Sequence, residues 1–151
     1  MSRKKRRKAM IFLTVSVLAL SFPGCGKKEN TSDRTLRVGI VTYTQDDPFI
    51  NTMTEQIRED LKLKESKDMK ILVSVKNGDN DQRDQDELVE EMIAAGCDVL
   101  CVNLVDRTAP SDIIKAARQE KIPVIFFNRE PVKEDLMQWD QLYLSLIHIS
   151  E

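Results

Sequence analysis

Residues 36–51, LRVGIVTYTQDDPFIN, determine how this chain folds. The first residues of the stretch are short, branched and apolar, and the run is too short for a helix, so it predicts a strand that is buried on both faces. Thr44 to Asp47 form a polar turn. Pro48 then suits the first position of a helix, because the N–H that proline lacks would have no partner there. Open α/β sheets place ligand groups in turns of this kind.

The same plan of strand, turn and helix repeats along the chain. Apolar stripes at helical spacing predict helices over residues 48–64, 82–95 and 110–120. Short apolar runs after the first strand predict further strands over residues 70–75, 98–102 and 123–127. This alternation predicts an α/β fold in which a parallel sheet has right-handed crossovers and helices on both faces.

Composition and charge argue against nucleic acid as a partner. The 151 residues are enough for one ordinary domain, and a charged fraction of 32% with 41% hydrophobic residues is typical of a globular protein. Six of the 23 basic residues lie within the first eight positions. Without residues 1–24, 17 basic residues face 25 acidic ones, a formal charge of −8. A domain this acidic is not expected to bind nucleic acid.

The N-terminus predicts export. A basic run is followed by the apolar residues 9–20, which are too few to span a bilayer comfortably, and then by small residues up to Cys25. We therefore predict a signal peptide over residues 1–24. Gly24-Cys25 resembles the lipobox of bacterial lipoproteins, which implies a lipidated Cys25, a tether over 25–35 and an anchor at the outer face of the cytoplasmic membrane. The alternatives are a plain secretory peptide with an incidental cysteine and a freely periplasmic protein.

The motifs of common enzymes and metal sites are missing from the sequence. Thr42 to Pro48 contains no glycine, which argues against a phosphate-binding loop. His148, the single histidine, lies in the last residues, so no histidine-based catalytic group is expected. Cys97 and Cys101 would lie ~13 Å apart along one strand, too far for a disulfide bond, and we predict both as core residues. We therefore predict no enzyme activity, and no metal site or cofactor within these residues.

Three residues at the predicted strand ends have chemistry that suits a neutral ligand with many hydroxyl groups. The carboxylate of Asp47 can accept hydroxyl hydrogen bonds, and the amide of Asn103 can both donate and accept them. The ring of Phe49 can cover the C–H face of a sugar. Each residue also has a simpler interpretation: Asp47 as a helix N-cap, Phe49 as a core residue and Asn103 as a turn former.

At these positions the chain resembles a known family. RVGIVTYTQDDPF (37–49), the segment from NGDN to NLVDRTA (77–109) and KIPVIFFNREP (121–131) are similar to the periplasmic glucose/galactose-binding proteins of sugar ABC transporters. The resemblance extends from Leu36 to about Asp140, the first third to half of the family's mature chain. It implies Asp47 as a sugar-binding carboxylate, Phe49 as one of two aromatic residues that enclose the sugar ring, and Asn103 as an amide ligand.

The resemblance also implies an arrangement of domains. Family members have two α/β lobes that are joined by a hinge and close on one sugar. We expect residues 36–123 to form the N-terminal lobe, 124–141 to form the hinge crossing and the start of the second lobe, and 142–151 to be a truncated or foreign tail. The family's calcium site would lie in the missing second lobe, so we expect no cofactor here, and we expect a monomer.

The resulting hypothesis is a protein that binds galactose or glucose outside the cytoplasmic membrane and delivers it to the permease of an ABC importer. The effector-binding domain of a sugar-responsive regulator or sensor is the main alternative, although the export signal argues against it. A response-regulator receiver would need an aspartate where strand three ends, and this chain has Asn103 there. An exported α/β enzyme would need a nucleophile or base at a strand end, and the sequence offers none.

Overall fold

The computed structural model describes residues 34–145 of the chain. Strands and helices alternate throughout these residues. In chain order the elements are β1 (Arg34–Thr42), α1 (Pro48–Leu63), β2 (Met69–Asn77), α2 (Gln82–Ala94), β3 (Val99–Val102), α3 (Ser111–Glu120), β4 (Val124–Phe127), α4 (Lys133–Leu136) and β5 (Leu142–Ser145).

The five strands form one sheet in the order β2-β1-β3-β4-β5, and every neighbouring pair is parallel. In β1, for example, Val38 pairs with Val73 of β2 on one side and Val99 of β3 on the other. Because all strands run in the same direction, their carboxyl ends lie along a single edge. The α/β fold that the sequence predicts is confirmed.

Helices cover both faces of the sheet, as the sequence predicts, and each face has its own buried cluster. On one face α2 and α3 pack against the sheet through apolar residues that include Val89, Met92, Ile113, Ile114, Ala117, Leu100, Val102 and Phe126. On the other face α1 packs through Met53 against Val38, Ile40, Ile71, Cys101 and Phe127. Alternate residues of β3 and β4 therefore serve opposite faces, which explains why these strands are apolar along their whole length.

Most predicted elements lie within two residues of the observed ones. The start of β1 differs from the prediction, because Arg34 and Thr35 belong to the strand and not to the predicted tether. They pair with Met69 and Lys70 at the start of β2, and Arg34 N–H also donates to the Asp68 carbonyl at 3.0 Å. The extra pairing follows from the length of β2, which begins one residue earlier than predicted.

The predicted lobe boundary at residue 123 falls within this sheet. Val124–Phe127 forms β4 and pairs with β3, and Leu142–Ser145 forms β5 and pairs with β4. Residues 124–145, predicted as hinge crossing, second lobe and tail, thus continue the sheet that β1 to β3 begin. The division of the protein into two lobes stays a prediction.

Several predictions concern residues outside the described part of the chain. The signal peptide over 1–24, the lipidated Cys25, most of the tether, and residues 146–151 of the predicted tail with His148 all lie there. Within residues 34–145, the helices are too short or too polar for any of them to cross a membrane.

The two described cysteines are core residues, as predicted. Cys97 and Cys101 are buried and form no disulfide bond. Burial raises the pKa of the Cys101 thiol to about 11 and also raises the pKa of Cys97. Both thiols are therefore protonated at neutral pH and unsuited to nucleophilic chemistry.

The connection between β4 and β5 is packed onto the core by apolar side chains. Leu136, Trp139 and Leu142 are partly buried against the cluster under α2 and α3. Trp139 is the single tryptophan of the chain. The connection thereby places β5 at the edge of the sheet, where Tyr143 is 51% exposed.

Two glycines are required for different physical reasons. The N–H of Gly78 donates to the Thr42 carbonyl at 2.8 Å, and a Cβ at Gly78 would lie 2.8 Å from that same oxygen. Gly96 directly follows Ala95, the C-cap of α2, and has a φ of +80°. A Cβ at Gly96 would meet no atom within 4 Å. Gly78 is therefore required by close approach of the backbone and Gly96 by its left-handed conformation, as its predicted position after a helix implies.

We expect Gly78→Ala to lower the free energy of unfolding by about 1–3 kcal/mol through this clash. Gly96→Ala should cost about 1–2 kcal/mol through its backbone conformation alone. Substituting each glycine by asparagine instead of alanine distinguishes the clash from the backbone conformation. Asparagine tolerates a left-handed conformation better than alanine does, but its side chain is larger. In urea unfolding, Gly96→Asn should therefore be more stable than Gly96→Ala, and Gly78→Asn less stable than Gly78→Ala. An unchanged urea midpoint for Gly78→Ala would show that the contact with Thr42 is not rigid.

Candidate functional site

The loops that follow β1, β3 and β4 meet at the carboxyl edge of the sheet. They hold the three residues that the sequence singles out, together with others that it does not. The β1–α1 turn carries Tyr43 and Asp47, the β3–α3 loop begins with Asn103, and the β4–α4 segment begins with Asn128 and Arg129.

Asp47 is the N-cap of α1, and each of its carboxylate oxygens accepts one hydrogen bond from the protein. Oδ1 accepts from the backbone N–H of Phe49 at 2.8 Å, and Oδ2 accepts from the Tyr43 hydroxyl at 2.6 Å. The bond from Tyr43, and then the one from Phe49, hold the pKa of Asp47 below its ordinary value. The same bond raises the pKa of the Tyr43 hydroxyl. Asp47 is therefore an oriented, ionised carboxylate at neutral pH.

Arg129 connects this carboxylate to the β3–α3 loop through the tyrosine. Its guanidinium carbon lies 3.7 Å from the centroid of the Tyr43 ring, a cation–π contact. The Nη1 atom of Arg129 donates to the Val105 carbonyl at 3.1 Å and, at a longer 3.4 Å, to the Leu104 carbonyl. A series of contacts thus runs from the β3–α3 loop through Arg129 and Tyr43 to Asp47.

Phe49 lies in the first turn of α1, directly after the cap, and is 43% exposed. The buried residues of that turn and the next are Ile50, Met53 and Thr54, which face the sheet. Phe49 is therefore not the core residue that one interpretation of the sequence expects. Its aromatic surface is accessible beside the carboxylate of Asp47.

Asn103 has a different environment from the one that a ligand role requires. Its side chain is fully buried, and Nδ2 donates to the Phe127 carbonyl at 2.9 Å. Oδ1 is buried as well and has no hydrogen-bond partner. Asn103 therefore supports the end of β4 from within the protein and presents no accessible atom in this structure. Its assignment as a sugar ligand stays a prediction.

A second buried amide holds the backbone on which these groups depend. Gln85 of α2 is fully buried, and its Nε2 donates to the Asn103 carbonyl at 2.9 Å while its Oε1 accepts from Val105 N–H at 3.0 Å. Both polar ends of the side chain are thereby satisfied. Because Val105 also binds Arg129, Gln85 fixes the loop that orients the guanidinium.

Four further residues at this edge were not predicted from the sequence: Tyr43, Gln85, Asn128 and Arg129. Asn128 is exposed, directly follows β4 and has a left-handed φ of 59°, a conformation that asparagine adopts more readily than most residues. The signal for Asn128 and Arg129 was their position right after a strand, which was the criterion that selected Asn103. Tyr43 and Gln85 depend on contacts between distant segments, which the sequence does not display.

The side chains at this edge could bind a polar molecule. It offers a carboxylate, an exposed amide, an exposed aromatic ring and a guanidinium. Within residues 34–145, no group of three histidine, cysteine, aspartate or glutamate side chains could hold a metal ion. A parallel sheet with polar groups at its carboxyl edge defines a ligand-binding α/β domain.

The chain belongs to the periplasmic binding protein family. Residues 38–143 match the family described as periplasmic binding protein domain. The D-galactose/methyl-galactoside binding periplasmic protein MglB of Haemophilus influenzae is 32% identical over 107 residues, which are 71% of this chain and 31% of that protein. The ribose import binding protein RbsB of Bacillus subtilis is 25% identical over 130 residues, 82% of this chain and 41% of that protein. The resemblance found in the sequence is confirmed.

Solved structures agree with this assignment. A carbohydrate transporter solute-binding protein from Chloroflexus aurantiacus in complex with D-glucose is 26% identical, with a TM-score of 0.59 over 76% of this chain and 31% of that one. A galactofuranose-binding protein has the same fold, with a TM-score of 0.62 at 20% identity over 74% of this chain and 34% of that one.

The chain spans about a third of the length of MglB and two fifths of that of RbsB. The names of both relatives describe binding proteins and not enzymes, which confirms the prediction of a non-enzymatic protein at the level of the family.

Tyr43→Phe removes the hydroxyl donor and should raise the pKa of Asp47 towards its ordinary value of about 3.9. Because folding lowers this pKa, the bond contributes stability above pH ~4 that is lost as the pH falls through the lowered pKa. The variant should therefore be less stable than the wild type at neutral pH, and the difference should shrink in acid. A ¹³C NMR titration of the Asp47 carboxyl tests the shift.

The second tyrosine supplies the control for this titration. Tyr143 lies on β5, and Tyr143→Phe should leave the pKa of Asp47 unchanged. Equal titration curves for Tyr43→Phe and the wild type would contradict the role given to the Tyr43 hydroxyl.

Proposed function

We propose that this protein binds a neutral monosaccharide outside the cytoplasmic membrane and delivers it to an ABC importer. The observation that carries the proposal is the environment of Asp47. Each carboxylate oxygen accepts one bond from the protein, at 2.8 Å and 2.6 Å, beside the exposed ring of Phe49 at the carboxyl edge of the sheet.

Asp47 and Phe49 would contact the sugar in complementary ways. A carboxylate oxygen that already accepts one hydrogen bond can accept another, so Asp47 can bind hydroxyl groups while its orientation stays fixed. Such charge-assisted bonds are stronger than bonds between neutral groups. The ring of Phe49 would cover the C–H face of the sugar and exclude water from it.

Two asparagines at this edge would have different roles, one in contact with the sugar and one in support of the turn. The Phe127 carbonyl accepts from Asn103 Nδ2 at 2.9 Å and from Arg129 N–H at 2.7 Å, and these two bonds bracket the left-handed residue Asn128. We propose that Asn103 acts on the ligand indirectly, by fixing this turn, and that the exposed amide of Asn128 makes the contact that was predicted for Asn103.

Galactose or glucose is the proposed ligand. The support comes from the relative named for D-galactose and methyl-galactoside, at 32% identity, and from the solved relative in complex with D-glucose, at 26%. The relative named for ribose import is more distant, at 25% identity.

The rest of the binding cleft is proposed to come from a second lobe. The described sheet would form one wall, and a hinge would let the second lobe close on the sugar, after which the closed form docks on the membrane permease. The length of the relatives supports this, since the chain spans 31% of the galactoside-binding protein. We propose that the protein acts as a monomer.

The proposed location is the outer face of the cytoplasmic membrane, with Cys25 as a lipid anchor. The support is the order of basic residues, apolar residues and Gly24-Cys25 in the sequence. Two acyl chains give stable anchoring where one chain gives only marginal binding.

A fatty-acid analogue fed to growing cells should label the wild-type protein and leave Cys25→Ser unlabelled. Cell fractionation should place the wild type in the membrane fraction. Equal labelling of both proteins would exclude Cys25 as the anchor, and recovery of the wild type from the cytoplasm would favour the regulator or sensor.

Asp47→Asn tests the sugar-binding role against simple helix capping. Asparagine is a good N-cap, so the melting temperature without sugar should change by no more than a few degrees. The amide replaces an acceptor by an N–H₂ donor, so the affinity for galactose or glucose in the full-length protein should fall by about tenfold or more. Titration calorimetry measures the affinity.

Asp81→Asn is the matched control. Asp81 is the N-cap of α2 and accepts from Arg83 N–H at 2.8 Å and from Asp84 N–H at 3.2 Å. Its replacement should leave the sugar affinity unchanged. If Asp47→Asn lowers the melting temperature and has the wild-type dissociation constant, Asp47 is a helix cap only.

A further inference from the structure

Arg129 is held in place by contacts on two sides. Its Nη1 donates to the carbonyl oxygens of Val105 at 3.1 Å and Leu104 at 3.4 Å, and its guanidinium lies 3.7 Å from the centre of the Tyr43 ring. The guanidinium plane can bond to carbonyl groups through its edge and stack on an aromatic ring through its face. A lysine could supply the charge but not this combination.

Tyr43 is in turn held at both ends. Arg129 contacts the face of its ring, and its hydroxyl donates to Asp47 Oδ2 at 2.6 Å. Because the ring is rigid, its orientation determines where the hydroxyl lies. Arg129 is thus connected to Asp47 through Tyr43, and its charge also helps to lower the pKa of Asp47.

We propose that Arg129 is a positioning residue for the sugar-binding carboxylate: by clamping the Tyr43 ring, it keeps the tyrosine hydroxyl on Asp47 Oδ2. The inference rests on the proposed function and deepens it. With Phe49 N–H on Oδ1, Tyr43 on Oδ2 and a weaker contribution from Ile50 N–H, the carboxylate keeps capacity for further donors, which suits a ligand with two neighbouring hydroxyl groups. Loss of the clamp would let Tyr43 rotate and free Oδ2 to other donors, so the preference for such a diol would weaken.

Among residues 34–145, the groups with charge or titratable protons nearest to Asp47 in contacts or in sequence include three. They are Tyr43 in the same turn, Asp46 as its chain neighbour, and Arg129 from the β4–α4 segment. The direct attraction of Arg129 and the clamp on Tyr43 would both favour the ionised form of Asp47. The experiment must therefore separate the charge of Arg129 from its geometry.

Four variants of the full-length protein make this separation. Arg129→Met removes the charge and the clamp, Arg129→Lys keeps the charge and removes the clamp, and Tyr43→Phe removes the hydroxyl. The fourth combines Arg129→Met with Tyr43→Phe. The Asp47 carboxyl is titrated by ¹³C NMR without sugar and identified by the loss of its signal in Asp47→Asn, and calorimetry then gives the affinity for galactose and glucose.

If Arg129 is the clamp, Arg129→Met and Arg129→Lys should both raise the titration midpoint of Asp47, in the direction expected for Tyr43→Phe. The double variant should shift it by less than the sum of the two single shifts, since both changes remove the same hydrogen bond and only the direct attraction of Arg129 is lost in addition. The sugar affinity should fall about three- to tenfold in each single variant.

Arg107→Met is the matched control. Arg107 also joins the β3–α3 loop to the β4–α4 segment, through its Nε bond to the Glu130 carbonyl at 2.7 Å and its ion pair with the Glu130 carboxylate at 3.5 Å. Within residues 34–145, no hydrogen bond or ion pair joins Arg107 to Tyr43 or Asp47. Its loss should lower the melting temperature and leave the Asp47 midpoint and the sugar affinity unchanged.

Two results would overturn the inference. A wild-type midpoint in Arg129→Lys, or additive shifts in the double variant, would mean that only the charge of Arg129 matters. An equal shift in Arg107→Met would mean that the effect is a general loosening of the loops. If the wild type binds neither sugar, the proposed function fails, but the sugar-free titration still decides whether Arg129 positions Tyr43.

Discussion

The carbonyl groups at the end of β1 hold the carboxyl edge of this domain together. Val41 accepts from the backbone N–H of Asn103, Thr42 from that of Gly78, and Tyr43 from that of Asn80, at distances of 2.9, 2.8 and 2.7 Å. One strand end thereby anchors the loops that follow both of its neighbours in the sheet. This is possible because β1 lies between β2 and β3 and runs parallel to both.

The loops at this edge are held in place by a network of buried hydrogen bonds. Gln85 and Asn103 contribute amide groups that are fully buried, and three of their four polar side-chain atoms are bonded to backbone atoms. An unsatisfied buried polar group costs about 1–3 kcal/mol, so such a network stabilises one geometry strongly over the others. The loops can therefore carry ligand groups without the disorder that loops commonly have.

The fold was predictable because it depends on features that are local in the sequence. Apolar strands of four to nine residues, helical stripes and turn residues such as those at 77–81 each specify their own segment. The alternation of the segments then leaves few arrangements, and the parallel sheet is the commonest. It was harder to predict that β4 and β5 belong to the same sheet, because an apolar strand has the same sequence pattern at a domain boundary as within a domain.

The site was predictable only in part, for a related reason. The position of a residue after a strand predicts Asp47, Phe49 and Asn103 as candidates, but it does not distinguish an inward from an outward side chain. Asn103 and Asn128 both follow a strand, and one is fully buried while the other is exposed. Contacts such as that of Arg129 with Tyr43 join residues 86 positions apart and have no local signal.

The packing of Trp139 gives the protein an optical reporter of its own. The indole is the single one in the chain, and it lies between α4 and β5, partly covered by the cluster under α2 and α3. Its emission will respond to the attachment of the last strand to the sheet. In Tyr143→Phe, where Tyr43 is the single tyrosine, tyrosine fluorescence will respond to events at the carboxyl edge. The two ends of the domain can thus be followed separately in one unlabelled sample.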